Sequence, residues 1–259
     1  METIGLEREG DVLVATIDHP GSAMNAVDGT LHAELGELFR TLKTAPTARA
    51  VVLTGAGRAF SAGGDMSWFP TLRSIERAHA LRREARQIVW DLLDVEVPIV
   101  CGLNGPAAGL GASIALLCDV VVMSERAVIV DPHVNVGLVA GDGGAAIWPL
   151  LVGPLAAKRH LLLGDPLSAA DAVALGVAAE VCPPEAVGER SRAWARRLAD
   201  GAPLAVQGTK QAVNAQIKQA LLASFDLSMA LEMPCLLSAD HAEAVDAFVN
   251  GRPPRFEGR

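Results

Sequence analysis

Alternating apolar and polar positions over residues 3–7 and 12–18, joined through Glu9-Gly10-Asp11, predict two short strands closed as a hairpin. Leu31, Leu35, Leu38 and Leu42 then recur at helical spacing, so residues 28–43 read as an amphipathic helix with Asp28 at its cap. A β-branched apolar run at 50–54 reads as a buried strand, and a loop of small residues at 55–65 follows it. Residues 73–93 carry a charged helical face that ends before Pro98. Apolar runs at 99–103, 119–123 and 127–130 predict further strands, with a helix at 109–117 between the first two. Strands and helices alternating in this way predict βαβ units around a mainly parallel sheet.

From about residue 142 the pattern turns helical, with segments at 144–151, 156–163, 169–175, 184–198, 204–220, 222–237 and 239–248 and one strand near 177–181. The expected division is a core over 1–195 and a helical region over 196–259, with no linker between independent domains. Phe225, Leu227, Met229 and Leu231 offer apolar positions for packing inside the subunit or against another copy. The uncharged stretch 97–118 is long enough to span a bilayer, but Pro98, Asn104, Pro106 and its glycines break it. A strand, a tight turn and a helix fit it better than one spanning helix.

Composition narrows the class. The 259 residues are 51% hydrophobic, enough to bury a core of α/β size without staples. The net charge of −8, with no basic cluster, gives no electrostatic footprint for nucleic acid or an anionic membrane. There is no tyrosine, so chemistry that needs a phenol is excluded. Cys101, Cys118, Cys182 and Cys235 lack CxxC spacing and stand among apolar residues, which reads as buried free thiols in a reducing, cytoplasmic setting. Residues 1–10 hold Glu2, Glu7, Arg8 and Glu9 and no apolar run behind a basic flank, unlike a secretory signal.

Two glycine-rich loops could carry chemistry. Arg58 to Met66 includes Gly63-Gly64, which lets backbone approach a ligand and offer N–H groups, or simply makes a tight turn. No lysine and hydroxyl residue follow these glycines, so the loop is not a phosphate-binding P-loop. Asn104 to Ser113 opens an apolar helix, whose amino terminus would favour a developing oxyanion; close helix–sheet packing is the alternative. Asp131-Pro132-His133 and the later Asp142 supply groups for proton transfer. Asp142 reads equally as the cap of the helix that follows it. His32 falls off the leucine stripe and reads as solvated or interfacial, His19, His79, His160 and His241 as surface residues, and Asp65 as a loop stabiliser. No His, Cys, Asp and Glu set has metal-ligand spacing, and Gly-x-Ser-x-Gly is absent.

In their order along the chain, the two loops resemble the crotonase (enoyl-CoA hydratase/isomerase) superfamily. Asn25-Ala26, the segments 137–144 and 164–169, Ala174-Leu175-Gly176-Val177 and Arg252-Pro253-Pro254-Arg255-Phe256 extend the resemblance over the whole chain. It implies an α/β fold with a ββα spiral core, a carboxy-terminal helical trimerisation region, and a homotrimer or dimer of trimers. It also implies an acyl-CoA substrate, with coenzyme A entering as part of the thioester and no permanently bound cofactor. The oxyanion donors fall on the Gly64 and Leu110 N–H groups, and Asn25, Ala26, Ala62, Asp65, Met66 and Ser67 fall on positions that line the CoA and acyl channel. The two glutamates of a typical hydratase are replaced by Ser113 and His133, so that two-glutamate mechanism is not expected. His133, oriented by Asp142, becomes the expected base, favouring isomerisation or a variant hydration. The same dyad also resembles that of carbon–carbon bond hydrolases of cyclic β-diketones, although Leu110 stands where those enzymes have a further histidine. A binder of acyl-CoA without turnover is the third reading.

Overall fold

The computed structural model describes residues 1–44 and 47–259. Its frame is a six-stranded sheet in the order β1-β2-β3-β4-β6-β9. β1 (Ile4–Glu9) and β2 (Val12–Ile17) form the expected antiparallel hairpin, turned at Gly10 with φ +62°. β3 (Ala50–Gly55), β4 (Ile99–Leu103), β6 (Val120–Ser124) and β9 (Glu180–Cys182) continue the sheet in parallel from β2. A second, three-stranded sheet joins β5 (Ala107–Ala108), β7 (Val128–Val130) and β8 (Leu167–Ser168). β5 and β8 are too short to carry a pattern in the sequence.

The side-chain alternation of a strand explains the layers. Val51, Leu53, Ile99 and Cys101 point into the main core with α1 (Gly29–Thr44) and α2 (Ile75–Asp94). Ala50, Val52, Val100 and Val122 point the other way, onto Val187, Ala195 and Ala199 of α7 (Val187–Ala199). Asp28 caps α1 as expected, accepting from the Thr30 and Leu31 N–H groups at 2.9 Å. The stretch 97–118 resolves into β4, β5 and the eight-residue α3 (Leu110–Leu117), all buried. No single helix among the described residues is long and apolar enough to cross a membrane.

Several boundaries differ from the sequence pattern. The strand expected at 177–181 begins only at Glu180, because the Val177 and Ala178 N–H groups turn back to Ala172 and close α6 (Ala169–Ala174) around Gly176 at φ +72°. The two helices expected at 204–220 and 222–237 are one helix, α8 (Pro203–Leu236). No glycine or proline separates them, and Leu221 at the supposed break is fully buried. α7 runs through residue 195 to Ala199, and α8 begins at Pro203. α4 (Gly144–Val152), α5 (Pro154–Leu163) and α9 (Ala239–Val249) complete the chain.

Candidate active site

The two glycine loops are hydrogen-bonded into one unit. Phe60 and Ser61 N–H both donate to Pro106 O, and Ala108 N–H donates to Ser61 O at 2.9 Å. Val27 N–H donates to Gly63 O and Asp65 N–H to Val27 O, so Gly64 is held from both sides. The Gly64 and Leu110 N–H groups are left without an acceptor among the described residues. Leu110 opens α3, so its N–H adds the positive end of a helix to the donor pair. Gly63 at φ +78° and Gly109 at φ +50° are required here: a Cβ on the first would stand 2.9 Å from Ala108 O.

An apolar outer channel of about 630 Å³ reaches Gly64, lined also by Ala26, Ala62, Asp65, Met66 and Ser67 among others. As expected, Asp65 steadies the loop, accepting from Ser67 N–H and Oγ–H at 2.8 and 2.7 Å. An inner cavity of about 60 Å³ shares Gly64 and His133 with the channel and adds Leu110, Asp142, Glu232 and His32. The larger cleft beside α9 is lined by Arg252, Glu243 and Asp246, which already pair with one another. Its charges are spent on holding the carboxy-terminal tail.

His133 stands between two carboxylates. Its Nδ1 lies 2.5 Å from Asp131 Oδ1, and its Nε2 lies 3.5 Å from Asp142 Oδ2. The residue that orients the ring is therefore Asp131, whose side chain is fully buried, whereas the sequence pointed to Asp142. Asp142 sits just before α4, near the positive end of that helix, and accepts a long 3.4 Å bond from Ser113 Oγ. Burial disfavours the imidazolium, but Asp131 and Asp142 outweigh it and hold the His133 pKa well above the usual histidine value. Burial pushes Asp142 up to about 6 against the opposing charge of His133. Glu232, from α8, is pushed up to about 8 by burial, with Asp142 and Asp131 adding to the effect.

Asn25, expected in the CoA channel, is 2% exposed and does not line it. At φ +51°, it spends its amide on Ala56, Ala59 and Phe60 carbonyls and its Oδ1 on His19 N–H, so it braces the donor loop from behind. His32 is buried, not solvated: it lies against Trp68 and lines the inner cavity, and burial lowers its pKa to about 4. His160 and His241 are buried too, with Nδ1 on the Asp165 and Val136 carbonyl oxygens. Cys101 and Cys182 are buried thiols, while Cys118 and Cys235 are half-buried. The sequence places Asp131 among the groups for proton transfer without assigning it to the ring of His133, and it does not single out Glu232. The former had a signal, a carboxylate two residues before His133, and the latter had none.

The ligand atoms of Asp131, His133 and Asp142 lie within 4.8 Å of one another, as a metal site would require. Each carboxylate, however, faces a different nitrogen of one imidazole, and a single ion can take only one side of the ring. The arrangement suits proton transfer better.

The family model for enoyl-CoA hydratase/isomerase matches residues 7–259. A curated relative, the 1,2-epoxyphenylacetyl-CoA isomerase of Escherichia coli (strain K12), is 32% identical over 262 residues, covering 100% of both chains. The crystal structure of an enoyl-CoA hydratase/isomerase from Mycobacterium paratuberculosis superposes with a TM-score of 0.89 at 38% identity, over 95% of this chain and 98% of that one. A β-diketone hydrolase from Anabaena sp. PCC 7120, bound to (S)-3-oxocyclohexyl acetic acid, superposes with a TM-score of 0.85 at 29% identity, over 91% and 94% of the two chains. With paired loops, two sheets and a carboxy-terminal helical layer all in place, the chain belongs to the enoyl-CoA hydratase/isomerase, or crotonase, superfamily of enzymes.

Proposed function

We propose that the protein moves a proton α or γ to the carbonyl of an acyl-CoA thioester, in an isomerisation or a variant hydration. The observation that carries this reading is the convergence of the Gly64 and Leu110 N–H groups with His133 and Asp142 on one inner cavity. In this reading the two N–H groups receive the thioester oxygen as it becomes an enolate, and each such donor contributes roughly 3 kcal/mol to transition-state stabilisation. The outer channel takes the pantetheine arm, with Ala26, Ala62, Asp65, Met66 and Ser67 along it.

Proton transfer falls to the paired groups whose environments push them apart. Asp142, ionised above about pH 6, is the base that takes the substrate proton, and His133, held charged by Asp131 and Asp142, is the acid that gives its own Nε2 proton to the other carbon; the proton left on Asp142 then passes to His133 Nε2, 3.5 Å away, and resets the pair. This keeps the expected dyad and exchanges its internal roles. Ser113 and His133 occupy the positions of the hydratase glutamates, so a carboxylate pair acting on water as in that subfamily is not part of the mechanism. The isomerase named among the relatives supports this direction. The exposed Leu222, Leu227 and Leu231 on α8 support assembly into a trimer or dimer of trimers.

The test is solvent exchange at the α carbon of butyryl-CoA in D₂O, followed by NMR. Exchange by the wild type, reduced about 10³-fold in Asp142→Asn with ligand binding intact, is the expected result. Exchange unaffected by that substitution overturns the assignment. Cleavage of a cyclic β-diketone with no CoA ester bound would instead favour the hydrolase reading, which the Asp131–His133–Asp142 arrangement and the Anabaena neighbour support.

A further inference from the structure

The inner cavity has a polar wall that the proton-transfer chemistry does not use. Glu232 reaches it from α8, is 7% exposed, and makes no hydrogen bond to any described residue. Its oxygens are absent from the sealed, partnerless atoms of the interior, which include Asp131 Oδ2 and Trp148 Nε1, so they keep access to the cavity. The backbone is shaped around this carboxyl: a Cβ on Gly141 would lie 2.1 Å from Glu232 Oε2. Leaving a buried polar group without a partner costs stability. A carboxyl placed this way is explained if a ligand supplies the partner.

We infer that Glu232 is a specificity-determining residue that donates a hydrogen bond from its carboxyl group to a hydroxyl or carbonyl oxygen on the substrate's acyl chain, beyond the thioester. The preferred acyl group is then short, because the cavity is only about 60 Å³, and oxygenated where a plain enoyl chain carries a methyl. The inference rests on the acyl-CoA reading proposed above. Donation requires a proton on Glu232 at neutral pH, in keeping with its pKa of about 8. The charged and titratable groups around it are Asp131, His133 and Asp142 from the loops after β7, with Arg82 of α2 and His32 of α1 lining the same cavity. His32 is neutral there, so it competes for no proton near pH 7.

The experiment is calorimetric titration of the full chain with butyryl-CoA, 3-hydroxybutyryl-CoA and acetoacetyl-CoA, the last two separating hydroxyl from carbonyl recognition. We expect the wild type to bind at least one oxygenated ester about tenfold more tightly than butyryl-CoA. Glu232→Met should bring that ratio to within about twofold, while Glu232→Gln, which keeps a donor, should retain most of it. Equal binding of all three esters by the wild type, or a preference unchanged in Glu232→Met, overturns the inference and leaves the acyl-CoA reading standing. Failure to bind any of the esters overturns both. If Glu232→Met does not fold, the wild-type ratio and the Glu232→Gln ratio decide: a wild-type ratio near one overturns the inference, and a preference kept by Gln supports it.

Discussion

The donor cradle and the proton-transfer corner lie side by side but are built by opposite means. In the cradle, the proposed donors are the Gly64 and Leu110 N–H groups, fixed by main-chain bonds that involve Ser61, Pro106 and Val27 and hold whatever the pH. In the corner, the side chains of Asp131, His133 and Asp142, with Glu232 beside them, feel one another's charge. One region is preorganised by covalent geometry and main-chain bonding, the other by burial and mutual electrostatics. The first should therefore fail through shape, and the second through protonation.

The sharpest way to break this contrast is to remove the anchor of His133. Asp131→Asn should lower turnover on the order of 10³-fold, since it loosens the ring and weakens the imidazolium together. It should also lower the alkaline limb of the pH–rate profile. The sign for stability follows from the raised His133 pKa: its contribution is full below the unfolded value near 6.5 and is lost as pH rises through the folded value. Thermal melts of wild type and Asp131→Asn should thus differ most in acid and converge in alkali.

Gly63→Ala strikes the cradle instead. With φ at +78° and Ala108 O 2.9 Å from the new methyl, it should cost on the order of 10²-fold in kcat while leaving the pH–rate profile in place. A moved profile would mean that the two regions are not separable.

Glu232→Gln tests the corner through stability. The folded chain keeps the Glu232 proton up to about pH 8, whereas the unfolded chain releases it near 4.5, so the wild type loses stability across that interval. The Gln variant carries no such loss. Its melting temperature should match the wild type near pH 4.5 and exceed it on the order of 5 °C by pH 8.5.

Ser113→Ala should have the smallest effect, about two- to fivefold in kcat, because its 3.4 Å bond to Asp142 is long. Losing that donor raises the Asp142 pKa, so the acid limb expected near pH 6 should move upward.

The same contrast decides what could be read from the amino-acid sequence. The bends at Gly63 and Gly109 were legible because a tight backbone path leaves its requirement in consecutive letters, glycines after a strand or at the start of a helix, whereas the donor positions beside them came only from the family resemblance. β2, β3, β4 and α1 were legible from periodicity alone, within a residue or two of their observed ends. Asp131's role was not, since nothing local distinguishes a carboxylate at Nδ1 from one at Nε2. Glu232 was less legible still: it lies inside a helix that reads as apolar packing, and it meets the site only through the tertiary fold. His32 was misplaced for a related reason, as its burial comes from Trp68 and α2 and not from its own helix.

The unbroken α8 has a mechanical consequence. Leu221, Phe225 and Met229 seat its inner side in the core, Glu232 stands one turn further along, and Leu227 and Leu231 lie open on its outer flank. Pro234 stands inside the same helix, two residues past Glu232, and cannot donate to the Ala230 carbonyl, so the turn that carries the carboxyl is the one where α8 bends most easily. Whatever covers the outer leucines and whatever enters the smallest cavity therefore bear on one helix about a turn apart, with its most easily bent turn at the carboxyl.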